Sequence, residues 1–202
     1  MKYIPSILLF FFLLSFSSCS TKTVESELPE PNPPTPVIPE EPTPEKEKML
    51  WFDAEANFER FSKKENITYY LDLAKSTGFN KIVVDVRPVQ GDALFKSSYL
   101  TPLTDLADTH IERDWDYLQF FIDEAHKREL KVTVSATIFT AGLPSSKNGM
   151  AYRDDTWDGK TCLEYTKDQG LIDIKDDKTK VSAFLNPVLP EVQDFCLNFI
   201  KE

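Results

Sequence analysis

Three carboxylates stand late in otherwise apolar runs, where acids are uncommon. In L-W-F-D-A-E (50–55), Trp51, Asp53 and Glu55 share one face by the two-residue period of a strand, and Phe52 and Ala54 share the other. In K-I-V-V-D-V-R (81–87) the same period puts Asp85 and Arg87 on one face, opposite Val84 and Val86. A carboxylate in such a run is costly unless it is paired or opens on a cleft. Glycoside hydrolysis uses two carboxyl groups across the scissile bond, about 5–5.5 Å apart for retention or 6.5–9.5 Å for inversion. Asp53, Glu55 and Asp85 are therefore the candidate catalytic groups, one as proton donor and another as base or nucleophile. The competing reading makes Asp85 and Arg87 an internal ion pair that only shapes the rim of the fold.

Other residues fit around that chemistry as substrate contacts. A fixed guanidinium at Arg87 can hold a sugar hydroxyl or carboxylate, or orient a catalytic acid. Gly91 permits a tight turn, after which Asp92 either bonds a sugar or caps the loop. Tyr152 and Trp157 sit in a Gly/Asp-rich stretch where aromatic faces can stack on a sugar ring. Trp115 has helical spacing and reads as core. His126 reads as structural, and Ser145 and Ser146 lack the G-x-S-x-G setting of a serine nucleophile. Cys162 and Cys196 either bridge in an oxidising compartment or stay thiols, Cys196 on a buried helix face. With two histidines and three scattered cysteines in 202 residues, no metal site is expected, and no glycine-rich phosphate motif calls for a cofactor. A net charge of −10 argues against nucleic acid as a partner.

The elements that must position these groups alternate. Residues 50–56 read as a strand. S-K-K-E (62–65) reads as a capping box that opens a helix with Ile67, Tyr70, Leu71 and Ala74 on its apolar stripe and Gly78 at its end. The β-branched run 81–87, bounded by Pro88, reads as a strand covered on both faces. After a long loop (88–113), Asp114 is the expected N-cap of a helix bearing Trp115, Leu118, Phe121, Ile122 and Ala125. Residues 131–139 form the third expected strand, a hairpin is expected around Gly170, and Pro190 opens a last helix with Val192, Phe195, Cys196 and Phe199 on one face. This order predicts parallel strands joined by helical crossovers, as in an open doubly wound sheet or a (β/α)8 barrel.

The first 48 residues belong to no such pattern. Lys2, the apolar run Ile7–Phe16 and the small residues before Cys19 read as a secretory leader (1–18) with a relaxed lipobox. Cys19 is then the expected lipidation site, against ordinary cleavage near Ser18. Residues 19–48 alternate proline and glutamate and read as an extended spacer, which would hold the domain off a membrane. The weak acidity just after Cys19 favours an outer-membrane lipoprotein facing the periplasm over surface display.

Three segments resemble the family 10 glycosyl hydrolase-like proteins. They are G-F-N-K-I-V-V-D-V-R-P-V-Q-G-D-A-L-F-K-S-S (78–98), D-Y-L-Q-F-F-I-D-E-A-H-K-R-E-L-K-V (116–132) and F-L-N-P-V-L-P-E-V-Q-D-F (184–195). The resemblance implies an α/β fold of the (β/α)8 TIM-barrel type and a glycoside hydrolase of the bacterial envelope, with peptidoglycan strands as one substrate. It also places Asn186 near the site, where a turn-stabilising amide is the plainer account. Residues 49–202 fall short of the about 250 that a barrel takes, so the chain is expected to be its N-terminal part. Where many members carry H-A-W-x-N, this chain has Thr133, Val134, Ser135, Ala136 and Thr137, and Glu129 replaces a helix-ending glycine. The missing His and Asn leave two alternatives open: a carbohydrate-binding lipoprotein without turnover on the same scaffold, and an inactive barrel fragment.

Overall fold

The computed structural model describes residues 46–202. The expected leader (1–18), the lipidation site Cys19 and nearly all of the 19–48 spacer lie outside the described residues.

The β-branched run 81–87 forms the middle of a three-stranded parallel sheet. β1 (Met49–Phe52) is followed by α1 (Phe58–Phe61) and α2 (Lys64–Ser76), then β2 (Lys81–Arg87). A two-residue ladder, β3 (Asp105–Leu106) with β4 (Thr109–His110), precedes α3 (Tyr117–Lys127) and β5 (Lys131–Ala136). The sheet order is β1-β2-β5, so each neighbouring pair is joined through helix, as the alternating pattern predicts. Beyond β5 come an antiparallel hairpin, β6 (Leu163–Thr166) and β7 (Gly170–Asp173), and then α4 (Pro190–Lys201). Among the described residues the fold is thus mixed α/β, with a parallel sheet and four α-helices.

One face of the sheet is packed and the other is open. Phe52, Ile82 and Val84 turn toward Phe61, Ile67 and Leu71 on one side and Phe121 and Ala125 on the other, and all are buried. Phe52 lies 5.1 Å from both Phe61 and Phe121, ring centre to ring centre. Each such side chain contributes about 1.5–3 kcal/mol by leaving water, which holds the helices to this face. On the opposite face Trp51, Val83 and Thr133 sit side by side at one level of the register. A second apolar cluster joins α4, through Val192, Cys196 and Phe199, to Ala141, Met150, Ala183 and Leu185 in the segment after β5.

Several local expectations shift. Ser62 does not cap α2: its hydroxyl donates to the Phe58 carbonyl at 2.6 Å because α1 occupies the preceding turn, and Lys63 takes the N-cap position. Asp116, not Asp114, caps α3, accepting from the Gln119 amide at 2.8 Å. β1 stops at Phe52 and β5 at Ala136, each earlier than the apolar run suggests. Glu129 takes the left-handed conformation (φ +54°) that a glycine would adopt more cheaply after α3.

The largest departure is a register shift at the end of β2. Asp85 pairs with Ser135, but Arg87 pairs with Ala136, so two residues of β2 face one of β5. This β-bulge breaks the strict alternation. Arg87 therefore leaves the face that Asp85 occupies.

Candidate functional site

Asp53, the first residue after β1, and Asp85, near the end of β2, reach the open face at the carboxyl ends of the parallel strands. That end is where parallel α/β folds place their chemistry. The Asp53 carboxylate is oriented by the main chain: its Oδ1 accepts from the Ala56 amide at 2.9 Å. Glu55 stands exposed in the same turn. Asp85 is half-buried, and its neighbours are the main-chain amides of Arg87 and Ala54 and the charges of Asp53 and Glu55.

The electrostatics tie the three together. Burial, then the Asp53 charge, push the Asp85 carboxyl up from 3.8 to about 6; Glu55 adds to the rise, and the two amides oppose it. Partial burial and Asp53 likewise raise Glu55. The three acids that sequence alternation singles out are thus brought within one another's field. Asp85 is left able to hold a proton near neutral pH.

The expected contacts around them are placed otherwise. Arg87 is fully buried. Its Nη1 donates to the carbonyls of Thr137 and of Ile138 (3.1 Å), and its Nη2 donates to the Thr140 carbonyl at 2.8 Å. The guanidinium lies 5.0 Å from the centre of the Phe199 ring. Burial lowers it to about 10, so it stays charged at neutral pH. No Asp85–Arg87 ion pair forms among the described residues, and no sugar can reach the Arg87 nitrogens where they are. The reading of Arg87 as a sugar-holding group is corrected accordingly, and the bulge is the cause.

Asp92 is also buried, with Arg153 donating to its Oδ2 and no partner for its Oδ1. Burial raises its carboxyl, against the opposing pull of Arg153 and Arg87. It ties the loop after β2 to the 150s segment. Tyr152 donates its hydroxyl to the Lys175 carbonyl at 2.7 Å. Trp157 packs its ring 4.7 Å from that of Phe195 on α4. Both aromatics are half-buried and are held by these contacts. Asn186 accepts from the Val188 amide at 3.1 Å, the turn-stabilising role. Cys162 and Cys196 are both free thiols, and His126 is exposed on α3.

Two neighbours of the carboxylates escape the sequence reading. Ser135 sits beside Asp85 in register and shares the open face; alternation along 131–137 was a sufficient signal for it. Tyr117 is 1% exposed, its hydroxyl has no partner, and Asp85 and Asp53 act on it across the sheet end. Nothing local marks it, because its position depends on how α3 packs. A cavity of about 570 Å3 lies elsewhere, on the helix-covered side between α3 and α4, where Val86, Val134 and Ile138 line it. Its lining is mostly aliphatic, so it is a packing groove rather than a place for polar chemistry. The carboxylates stand on an open shelf.

Comparison with known proteins adds an independent line. Residues 47–202 match the family model described as glycosyl hydrolase-like 10. A protein named S-layer-related protein, from Niallia circulans, is 32% identical over 165 residues, covering 78% of this chain and 10% of its own length. Glycosyl hydrolase DigH of Escherichia coli (strain K12) is 29% identical over 134 residues, covering 65% of this chain and 29% of its own. The matched region therefore spans less than a third of either relative.

Proposed function

The chain belongs to the glycosyl hydrolase-like 10 family, and we propose that it forms the opening arc of a (β/α)8 barrel that cleaves O-glycosidic bonds of a glycan. The single observation that carries this reading is Asp85: a carboxyl held near pH 6 beside two further acids at the end of parallel strands. A proton donor for a glycosidic oxygen has to keep its proton near the working pH. In the proposed mechanism Asp85 gives that proton to the leaving oxygen. Asp53, fixed by the Ala56 amide and open to solvent, acts as base toward water or as nucleophile at the anomeric carbon. Glu55, exposed beside it, contributes negative charge that stabilises an oxocarbenium-like centre and keeps Asp85 protonated. The remaining wall of the site comes from further strands of the barrel.

The wider biological setting is also part of the proposal. Lipidation at Cys19 and the proline–glutamate spacer would tether the domain to the outer membrane, facing the periplasm, where peptidoglycan glycan strands are within reach. Asp92, Tyr152, Trp157 and Asn186 serve in this reading as loop-shaping residues around the substrate rather than as direct sugar contacts.

The test is to assay the full-length protein for release of new reducing ends from peptidoglycan strands and from soluble polysaccharides, alongside Asp53→Asn, Glu55→Gln and Asp85→Asn. Loss of an acid or base is expected to cost about 10²–10⁴-fold for Asp85 and Asp53, and less for Glu55. Wild-type rates in all three variants would overturn the assignment. Glycan binding without any turnover by the wild type would favour the carbohydrate-binding reading.

A further inference from the structure

Among the described residues, the Arg87 side chain is a buried cation with no carboxylate bonded to it and no partner for its Nε. Such a group is expensive to bury, and a well-packed apolar residue is often as stable in its place. Its hydrogen bonds converge on one short segment: the carbonyls of Thr137, Ile138 and Thr140, with the Thr140 hydroxyl 3.4 Å away. That segment ties back. The Thr137 amide donates to the Arg87 carbonyl at 3.0 Å, and the Thr137 hydroxyl donates to the same carbonyl at 2.5 Å. The hydroxyls of Thr137 and Thr140 are 2.7 Å apart. Phe199 of α4 covers the guanidinium plane, which adds a cation–π contact.

This knot holds three things beside the site in place. One is the Arg87 main-chain amide, which faces the Asp85 carboxyl. Another is Ser135, in register with Asp85 and two residues before Thr137. The third is the bulge, which keeps the guanidinium itself off the acidic face. The charged and titratable groups that face Asp85 are Asp53 and Glu55 from the turn after β1 and the Tyr117 phenol from α3. The Arg87 charge is not among the causes of the Asp85 shift.

We propose that Arg87 is a positioning residue for the acid at Asp85: its buried guanidinium locks the end of β2 to the Thr137–Thr140 turn, and through that lock fixes the amide and the hydroxyl-bearing strand that flank the carboxyl. The proposal rests on the reading of Asp85 as proton donor. It assigns Arg87 no contact with the glycan.

The experiment compares full-length wild type with Arg87→Lys, Arg87→Met and Thr137→Val, reading kcat and KM across pH and the melting temperature of each. Loss of the lock is expected to lower kcat about 10–100-fold in Arg87→Met with KM within about twofold, the size of a misplaced catalytic group. The alkaline limb of the kcat/KM profile is expected to move to higher pH, because the amide that favours the charged carboxyl is no longer held against it. Arg87→Lys should recover part of the rate, and Thr137→Val, nearly isosteric, should move the limb the same way by less. A purely structural role would lower the melting temperature and leave the limb where it is. Folded Arg87→Met with wild-type kcat and an unmoved limb overturns the proposal. If Arg87→Met does not fold, a wild-type profile in Thr137→Val overturns it instead. Asp85→Asn with wild-type activity would instead defeat the functional reading on which it rests.

Discussion

Replacing Asp85 by Asn should make the protein more stable at neutral pH while removing the glycoside hydrolysis proposed for it. The folded protein holds the Asp85 proton up to about pH 6, whereas the unfolded chain releases it near 3.8. Between those values the folded state binds more protons, so raising the pH through the window weakens folding, and the penalty is complete above about 6. At 1.36 kcal/mol per pH unit the full gap would be worth about 3 kcal/mol. Asp85 is partly open to water on the sheet's free face, and screening reduces that to roughly 1–1.5 kcal/mol. Asparagine keeps an oxygen for the Ala54 and Arg87 amides and removes the charge that Asp53 and Glu55 repel. For a domain of this size the gain is about 3–5 °C in melting temperature. Thermal melts of wild type and variant at pH 4 and pH 7.5 read the effect directly. The variant should melt higher at pH 7.5 and within about 1 °C of wild type at pH 4. An equal difference at both pH values, or a less stable variant at pH 7.5, would refute the electrostatic account of the site.

Two other consequences are open to measurement. Gly149 has φ +108°, and a Cβ there would come within 2.5 Å of the Gln90 carbonyl oxygen and 2.6 Å of the Gly142 Cα, so Gly149→Ala should cost more than about 2 kcal/mol in urea melts. Gly159, at φ +71° with nothing within 4 Å, should lose only about 1 kcal/mol on the same change, and equal costs would contradict the packing. Cys162 and Cys196 should both be alkylated after denaturation without reductant, as peptide mass spectrometry would show; a linked pair resistant to alkylation would contradict the free thiols.

Much of the fold was legible because its cues are local. The β-branched run at 81–87 and the apolar stripes of α2, α3 and α4 state their own secondary structure, and the hairpin is signalled by Gly170, which turns with φ +74°. Alternation was enough to bring Asp53, Glu55 and Asp85 together. It failed for Arg87, because a bulge depends on how two strands pair and not on either strand alone. The capping-box reading failed for Ser62 because α1, a helix of four residues, carries no periodic signal of its own. The N-cap of α3 fell on Asp116 because Asp114 and Asp116 are equally good caps by type and only the Gln119 amide distinguishes them. The engagement of Tyr152 and Trp157 was hidden for a related reason: their partners, Lys175 and Phe195, are distant in sequence and are met only once the segment after β5 has folded back.

The register slip between Asp85 and Arg87 also constrains how this stretch can change in length. With one residue more in β5, opposite Val86, strict alternation would return over 84–88, and the guanidinium would swing round to meet the acid it now avoids. Three carbonyls would lose their donor, and the proton that Asp85 keeps near neutrality would be drawn off by the new cation. Separation of the two charges is thus written in residue count rather than residue identity, and no exchange of side chains at either position could restore it.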